Sequence, residues 1–257
     1  YAPRYQKPIL FCWMQGAAMT LLGPGETAAR APSAALGLAL VLLMHAFLLR
    51  WLARIAGERG SAKQSAASGA AFLGAAALAT TPIVAIWARA GVPDITLTFF
   101  ITASLLALLQ AALCPDRARP WYLVAAALAG LAFLTNGPVG LVVPGAVWGV
   151  YHLREGSLRQ EWRRVPWLLA VPAFLVVAAP WYVAVTLAEG PAFVKRFFLV
   201  ENLQRYAGYG VFHGGGIAER LVGILGYAGL ALLLLHPYHV FALREALAPS
   251  IEWSAAA

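Results

Sequence analysis

Apolar runs alternate along this chain with short polar stretches rich in arginine. A hydrocarbon core of roughly 30 Å takes about 20 residues of helix. Residues 31–49, 66–88, 95–113 and 167–187 read as spans by that measure, and a further span starts near residue 221 and closes near 235. Two shorter runs, 121–134 and 139–151, flank a hinge at Thr135-Asn136-Gly137-Pro138. By length alone they are one bent crossing or two short ones. Charge decides between these, because PDRARP before the pair and REGSLRQEWRR after it share a side only if each run crosses. The pattern therefore predicts an all-α, polytopic transmembrane bundle of about seven spans. Residues 8–22 are apolar but too short to cross, and Gly23-Pro24-Gly25 ends them, which suits a helix lying in the interface.

The expected organisation is an outer loop with that interfacial helix at 1–30, then a membrane domain at 31–235 with an outer loop at 188–220. The tail at 236–257 breaks its span at His236-Pro237 and fits neither part. Tyr1 opens inside a polar stretch, so a preceding span is expected upstream.

Composition excludes a soluble domain. The chain is 61% hydrophobic and 12% charged, with a mean hydropathy of +0.72, against about 25% charged residues in soluble proteins. Its net charge of +8 is accordingly read loop by loop and not as a nucleic-acid footprint. The cytoplasmic loops then carry Arg50, Arg54, Arg59, Lys63, Arg117, Arg119, Arg154, Arg159, Arg163 and Arg164. The outer turns at 91–94 and 136–137 carry no Lys or Arg. Cations that remain outside, in 1–7 and in 191–220, run against the topology signal and call for a local task.

The stretch 191–220 is the most polar of the chain's long segments. It holds Lys195, Arg196, Glu201, Asn202, Arg205 and His213, interleaved with Phe193, Phe197, Phe198, Tyr206, Tyr209 and Phe212. Cations and rings at headgroup depth suit an anionic, lipid-linked ligand, and equally an interfacial loop that only anchors its neighbours. His213 precedes Gly214-Gly215-Gly216, where backbone can approach a ligand closely. Metal-ligand spacings such as HExxH or CxxC are absent. Cys12 and Cys114 belong to opposite interfaces and read as packing residues, while His45 and His152, near the ends of apolar runs, read as buried neutral or snorkelling side chains. Gly69, Gly74, Gly130, Gly137, Gly140 and Gly145 read as sites of close helix packing, and Pro82, Pro144, Pro172 and Pro180 as kinks.

Six segments carry a family resemblance, in order: QKPILFCWMQ, ETAARAPSAALGLAL, ATTPIVAIWARAGVPDITLTFF, LAGLAFLTNGPVGLVVPG, APWYVAV and FFLVENLQRY…FHGGG. The chain resembles bacterial membrane glycosyltransferases of the aminoarabinose (lipid A) transferase and protein O-mannosyltransferase superfamily, with the GT-C fold. The resemblance implies transfer of a sugar from a polyprenyl-phosphate carrier to a lipid or protein acceptor at the outer face of the cytoplasmic membrane. It implies that lipid-linked sugar, the acceptor and membrane lipids as partners, and no nucleic acid. A lipid-linked sugar flippase is the alternative, since outer cations could serve it too.

Laid onto this chain, the family pattern makes Lys7 and Arg205 the first candidates for the carrier phosphate, with Lys195 and Arg196 behind them. Asp94 falls in the second outer turn, as a supporting carboxylate that orients sugar or acceptor, or as a cap for the next helix. Glu201, Asn202, Tyr206 and His213 are substrate-site candidates, and the principal catalytic Asp of the family would precede Tyr1. Gln6 stands where the family usually has a Glu that looks like a metal ligand. A divalent metal thus stays an open option, with His213 as its candidate ligand and no cofactor otherwise called for. Asn136 stands where the family commonly has Lys.

Overall fold

The computed structural model describes residues 7–56 and 61–204, and among these every regular element is helical. The short apolar run forms α1 (Leu10–Leu22), which stops at Gly23 with φ at 82°. The first span, α2 (Glu26–Ala56), is longer than the predicted 31–49 and opens on an ion pair between Glu26 and Arg30. The run predicted as one crossing at 66–88 is bent at Pro82, where the sequence reads a kink. α3 (Ser61–Thr80) and α4 (Pro82–Arg89) meet at a 59° bend. Pro82 supplies no N–H there, while the Thr80 and Thr81 hydroxyls donate back to the Ala76 and Ala77 carbonyls, each at 2.8 Å.

The chain continues through α5 (Asp94–Leu113), a 3₁₀ turn at Pro115–Arg117, α6 (Ala118–Asn136), α7 (Val139–Arg154), α8 (Leu158–Arg164) and α9 (Trp167–Glu189). Where the polar pattern predicts an outer loop from 188, the structure has α10 (Pro191–Val194) running into a π-helical segment, Lys195–Gln204. The predicted span at 221–235 and the tail at 236–257 lie outside the described residues.

Among the described residues, four helices are long and apolar enough to cross a bilayer: Glu26–Arg54, Asp94–Leu113, Pro115–Asn136 and Trp167–Glu189. The bent α3–α4 pair makes a fifth if it is one span. α7, with 16 residues, falls short on length but returns along α6. Gly140 near its start packs on Ala132 and Phe133, and Trp148 near its end lines a cavity of about 140 Å³ with Tyr122, Ser104 and Pro144. The hinge thus joins two antiparallel helices, as the charge pattern requires. Large apolar side chains stay uncovered along α9, with Leu168 91%, Val176 74% and Leu187 82% exposed. Such a surface is at home in lipid.

Lipid offers no hydrophobic drive between helices, so the bundle is held by close approach and by interhelical hydrogen bonds. α5 meets α6 where both helices bury alanines, Ala111 clustering with Ala118 and Tyr122. Within that seam Ser104 donates to the Ala125 carbonyl at 3.0 Å. On another side of α6, a Cβ at Gly130 would stand 3.0 Å from Val177 Cβ on α9. Tyr182 of α9 donates to the Phe133 carbonyl at 3.1 Å. Gly37, unremarked in the pattern, gives α2 the same closeness to Ala88 of α4. Gly69 and Gly145 depart from the packing expectation, since a Cβ at either would meet nothing within 4 Å.

The two ends of the bundle differ in chemistry. At one end, Arg50, Arg54, Arg117, Arg119, Arg154, Arg159, Arg163 and Arg164 are exposed. Beneath them Glu161 is buried, accepting from Tyr122 Oη at 2.8 Å and from Arg164 Nη1 at 2.6 Å. His152 is buried there too, one of the two placements the sequence allows it, with Nδ1 2.8 Å from Ser157 Oγ. Lys7, α1 and the hinge occupy the opposite end. A Cβ at Gly140 would collide with the backbone of Ala132 and Phe133, and backbone cannot rotate aside. Gly140→Ala is expected to lower stability by about 1–3 kcal/mol, read as a fall in the melting temperature in detergent.

Candidate functional site

The site grows from the hinge between α6 and α7. Gly137 has φ at 79°, in the region only glycine enters without strain, and its N–H closes α6 onto the Phe133 carbonyl at 2.8 Å. Pro138 then starts the return, and the N–H of Gly140 donates to the Gly137 carbonyl at 3.0 Å. This closed turn fixes the Asn136 side chain at the rim of the bundle. Lys7, just ahead of α1, donates from Nζ to Asn136 Oδ1 at 2.6 Å.

The same corner receives the π-helical segment. A Cβ on Gly137 would lie 2.9 Å from Phe197 Cζ and 3.4 Å from Asn202 Oδ1. Asn202 is held by its own amide, with Nδ2 donating to the Phe197 carbonyl at 2.7 Å. Phe197 and Phe193 are almost wholly buried, stacked at 5.6 Å with 14° between their planes, and Tyr182 sits 5.5 Å from Phe197. The aromatics of this stretch are therefore a packed base for its polar residues. Lys195 and Arg196 are exposed, on turns whose buried residues are these two rings.

Asp94 stands at the same height. α5 and α6 run antiparallel with Ser104 level with Ala125. Counting outward at about 1.5 Å per residue brings Asp94 and Asn136 to the same rim. The cap position falls on Pro93, which makes no side-chain cap bond, so Asp94 is the first helical residue, at the positive end of the helix dipole. Its turn is pinned from two helices. Ser33 of α2 donates to the Val92 carbonyl at 3.1 Å, and Gln15 of α1 donates to Ala29 at 2.9 Å and to Gly91 at 3.5 Å.

The structure thus brings together Lys7, Asn136 and Asn202, puts Asp94 on their rim, and leaves Lys195 and Arg196 on an exposed face. Glu201 is half-buried in the segment that carries Asn202. Arg205, Tyr206 and His213 lie outside the described residues, as does Gln6. Among the described residues no three His, Cys, Asp or Glu side chains gather as a metal group would require. Cys12 and Cys114 are both free thiols. Sequence reasoning missed Asn136 as a partner of Lys7 and Gln15 as a bracket. The spacing of 129 residues between Lys7 and Asn136 leaves no local signal of the first. A further cavity of about 230 Å³ between α5 and α7 is apolar, lined by Leu105, Leu109, Val147, Trp148, Tyr151 and His152, and lies toward the arginine-rich end.

The multi-pass helical bundle matches the GT-C membrane fold seen in two crystal structures of ArnT from Cupriavidus metallidurans. The apo structure gives a TM-score of 0.64 at 29% identity, over 76% of this chain and 34% of that one. The structure bound to undecaprenyl phosphate gives 0.66 at 28%, over 78% and 35%. The family described as dolichyl-phosphate-mannose-protein mannosyltransferase matches residues 6–183, and the chain belongs to it. An undecaprenyl phosphate-alpha-4-amino-4-deoxy-L-arabinose arabinosyl transferase of Aeromonas salmonicida is 30% identical over 233 residues, covering 88% of this chain and 40% of its own length. An uncharacterized protein of Aquifex aeolicus is 29% identical over 209 residues, covering 80% and 42%. The chain therefore spans about two fifths of the curated relatives it matches.

Gly137→Ala would force a strained φ and press on Phe197 and Asn202. Its expected cost is about 1–2 kcal/mol, measurable as a lower melting temperature together with faster proteolysis within 195–204.

Proposed function

We propose that the full-length protein transfers a sugar from a polyprenyl-phosphate carrier to a lipid or protein acceptor at the outer, periplasmic face of the cytoplasmic membrane. The observation that carries this reading is the match to a relative bound to undecaprenyl phosphate, at 28% identity over 78% of the chain. The rim gathers side chains suited to that chemistry. The acceptor oxygen attacks the anomeric carbon from the face opposite the carrier, and the bond from that carbon to the phosphate oxygen breaks. The bonding pair leaves with the polyprenyl phosphate while the sugar becomes oxocarbenium-like. Cations aimed at the departing phosphate lower that barrier most where water is excluded.

Lys7 and Arg205 take this part, with Lys195 and Arg196 meeting the lipid headgroup region behind them. Asp94 orients sugar or acceptor, and Glu201, Asn202, Tyr206 and His213 line the substrate side. A hydroxyl acceptor passes its proton to a carboxylate, whereas an acceptor phosphate, already ionised, has none to give. The modification serves the cell envelope, with lipid A or a protein hydroxyl as acceptor classes. A divalent metal, if one takes part, would draw on His213.

Lys7→Ala and Arg205→Ala, made in the full-length protein, are each expected to reduce transfer about 100-fold or more while leaving membrane expression intact. The assay supplies polyprenyl-phosphate sugar and scores sugar covalently on acceptor. Sugar that only changes leaflet would identify a flippase, and unchanged turnover in both variants would refute the phosphate role. Sidedness is tested by the native thiols. A membrane-impermeant maleimide applied to spheroplasts is expected to label Cys12 and to spare Cys114 until the membrane is opened.

A further inference from the structure

The cavity of about 230 Å³ between α5 and α7 lies away from the hinge, toward the arginine-rich end, and has no part in the chemistry above. We propose that it binds one anionic phospholipid, with an acyl chain in the cavity and the phosphate among the arginines beside it. The site belongs to the leaflet at that end and is independent of the transfer reading, which concerns the other rim.

The cavity originates in α7. Gly140 locks the start of that helix onto Ala132 and Phe133 of α6, and Pro144 then interrupts its hydrogen bonding. Beyond the proline, Trp148 borders two cavities, the larger against Leu105 and Leu109 of α5 and the smaller against Tyr122 of α6. The Trp148 ring is flanked by others, 5.1 Å from His152 and 6.3 Å from Trp162 of α8. α8 is itself tied down, since Tyr122 donates to Glu161. The larger cavity is thus braced by rings. Its lining is almost wholly apolar, and Val147 and Tyr151, both half-exposed, open it to the outside of the bundle. A dry apolar cavity of roughly 150 Å³ already admits benzene, so this one has room for a length of hydrocarbon chain.

Charge selects the lipid. Arg154, the last residue of α7, stands about one turn beyond Tyr151. From α2, Arg54 Nη1 reaches to 3.5 Å from Oε1 of Gln110, the neighbour of Leu109 on α5. Among the described residues of this end, the exposed arginines far outnumber the exposed carboxylates, Asp116 and Glu155. Basic pockets between helices at a membrane surface hold anionic headgroups. A zwitterionic headgroup brings an ammonium with its phosphate and gains less from the same arginines. One anionic phospholipid covers the leucines and neutralises the cations together, which a bare hydrocarbon surface cannot do.

The test uses the full-length protein, with phosphatidylglycerol and phosphatidylcholine as paired probes in native mass spectrometry. Phosphatidylglycerol is expected to stay bound under activation that strips phosphatidylcholine. Leu109→Trp, which fills the cavity, is expected to retain it several-fold less, at an unchanged melting temperature in lipid-free detergent. Arg54→Gln combined with Arg154→Gln is expected to lower retention similarly. Arg159→Gln combined with Arg163→Gln removes the same charge from α8 at the same end and is expected to leave retention unchanged. A phosphatidylglycerol with a photoreactive acyl chain gives a reading that needs no variant, with crosslinks expected in peptides holding 105–112 and 147–152. Equal retention of the two lipids overturns the proposal. Wild-type retention in Leu109→Trp, an equal loss in the α8 pair, or crosslinks that avoid both peptides do so as well. A dimer in the lipid-free spectra would place a second copy in the cavity. A Tyr151→Cys thiol closed to maleimide without lipid would place another part of the chain there. Either result overturns the lipid site.

Discussion

Helix α6 is gripped from three directions by contacts that only small side chains permit. Alanines face α5, Gly130 meets α9, and its last turns receive Gly140 of α7. In a bilayer this closeness replaces the hydrophobic drive that would hold a soluble core. It has a geometric by-product. A helix clamped along its length delivers its final residue to a fixed point, and here that residue is Asn136, followed by a turn with no freedom to open. The rim chemistry is thus an extension of the packing beneath it.

Much of this architecture could be read from the chain. Within the described residues the apolar runs located the long helices, and arginine distribution alone resolved the hinge pair into two helices, which Gly140 against Ala132 bears out. Pro82, read as a kink, falls at the bend between α3 and α4, although hydropathy stays apolar through it. A proline can end a helix without any change of hydropathy once neighbouring threonines satisfy the carbonyls it frees. The π-helical segment escaped, its mixture of charges and rings carrying no helical stripe. Glu161, within the arginine-rich REGSLRQEWRR, drew no reading of its own, yet it is buried with Tyr122 and Arg164 bonded to it.

The candidate site was legible by residue type more than by arrangement. Lys7, Asp94 and Asn202 were singled out by motif, and the structure assembles their surroundings from α1, α2, α5, α6 and the segment after α9. Asn136 had been read only as a missing cation. Its use as an acceptor depends on a contact between the start of the chain and the end of α6, and no spacing rule anticipates such a pair. Gln15 is similar: a single amide bridging α2 and the turn before Asp94 carries no periodic signature.

The wide winding over Lys195–Gln204 sets a phase. A π-helix takes about 4.4 residues for each revolution against 3.6 in an α-helix. Over this length the difference accumulates to roughly half a revolution. One residue deleted from the segment, with relaxation to the tighter pitch, would rotate its last residues by roughly a quarter of a revolution. A single-codon deletion here would therefore re-aim the polar side chains of the segment more abruptly than any substitution in the same stretch.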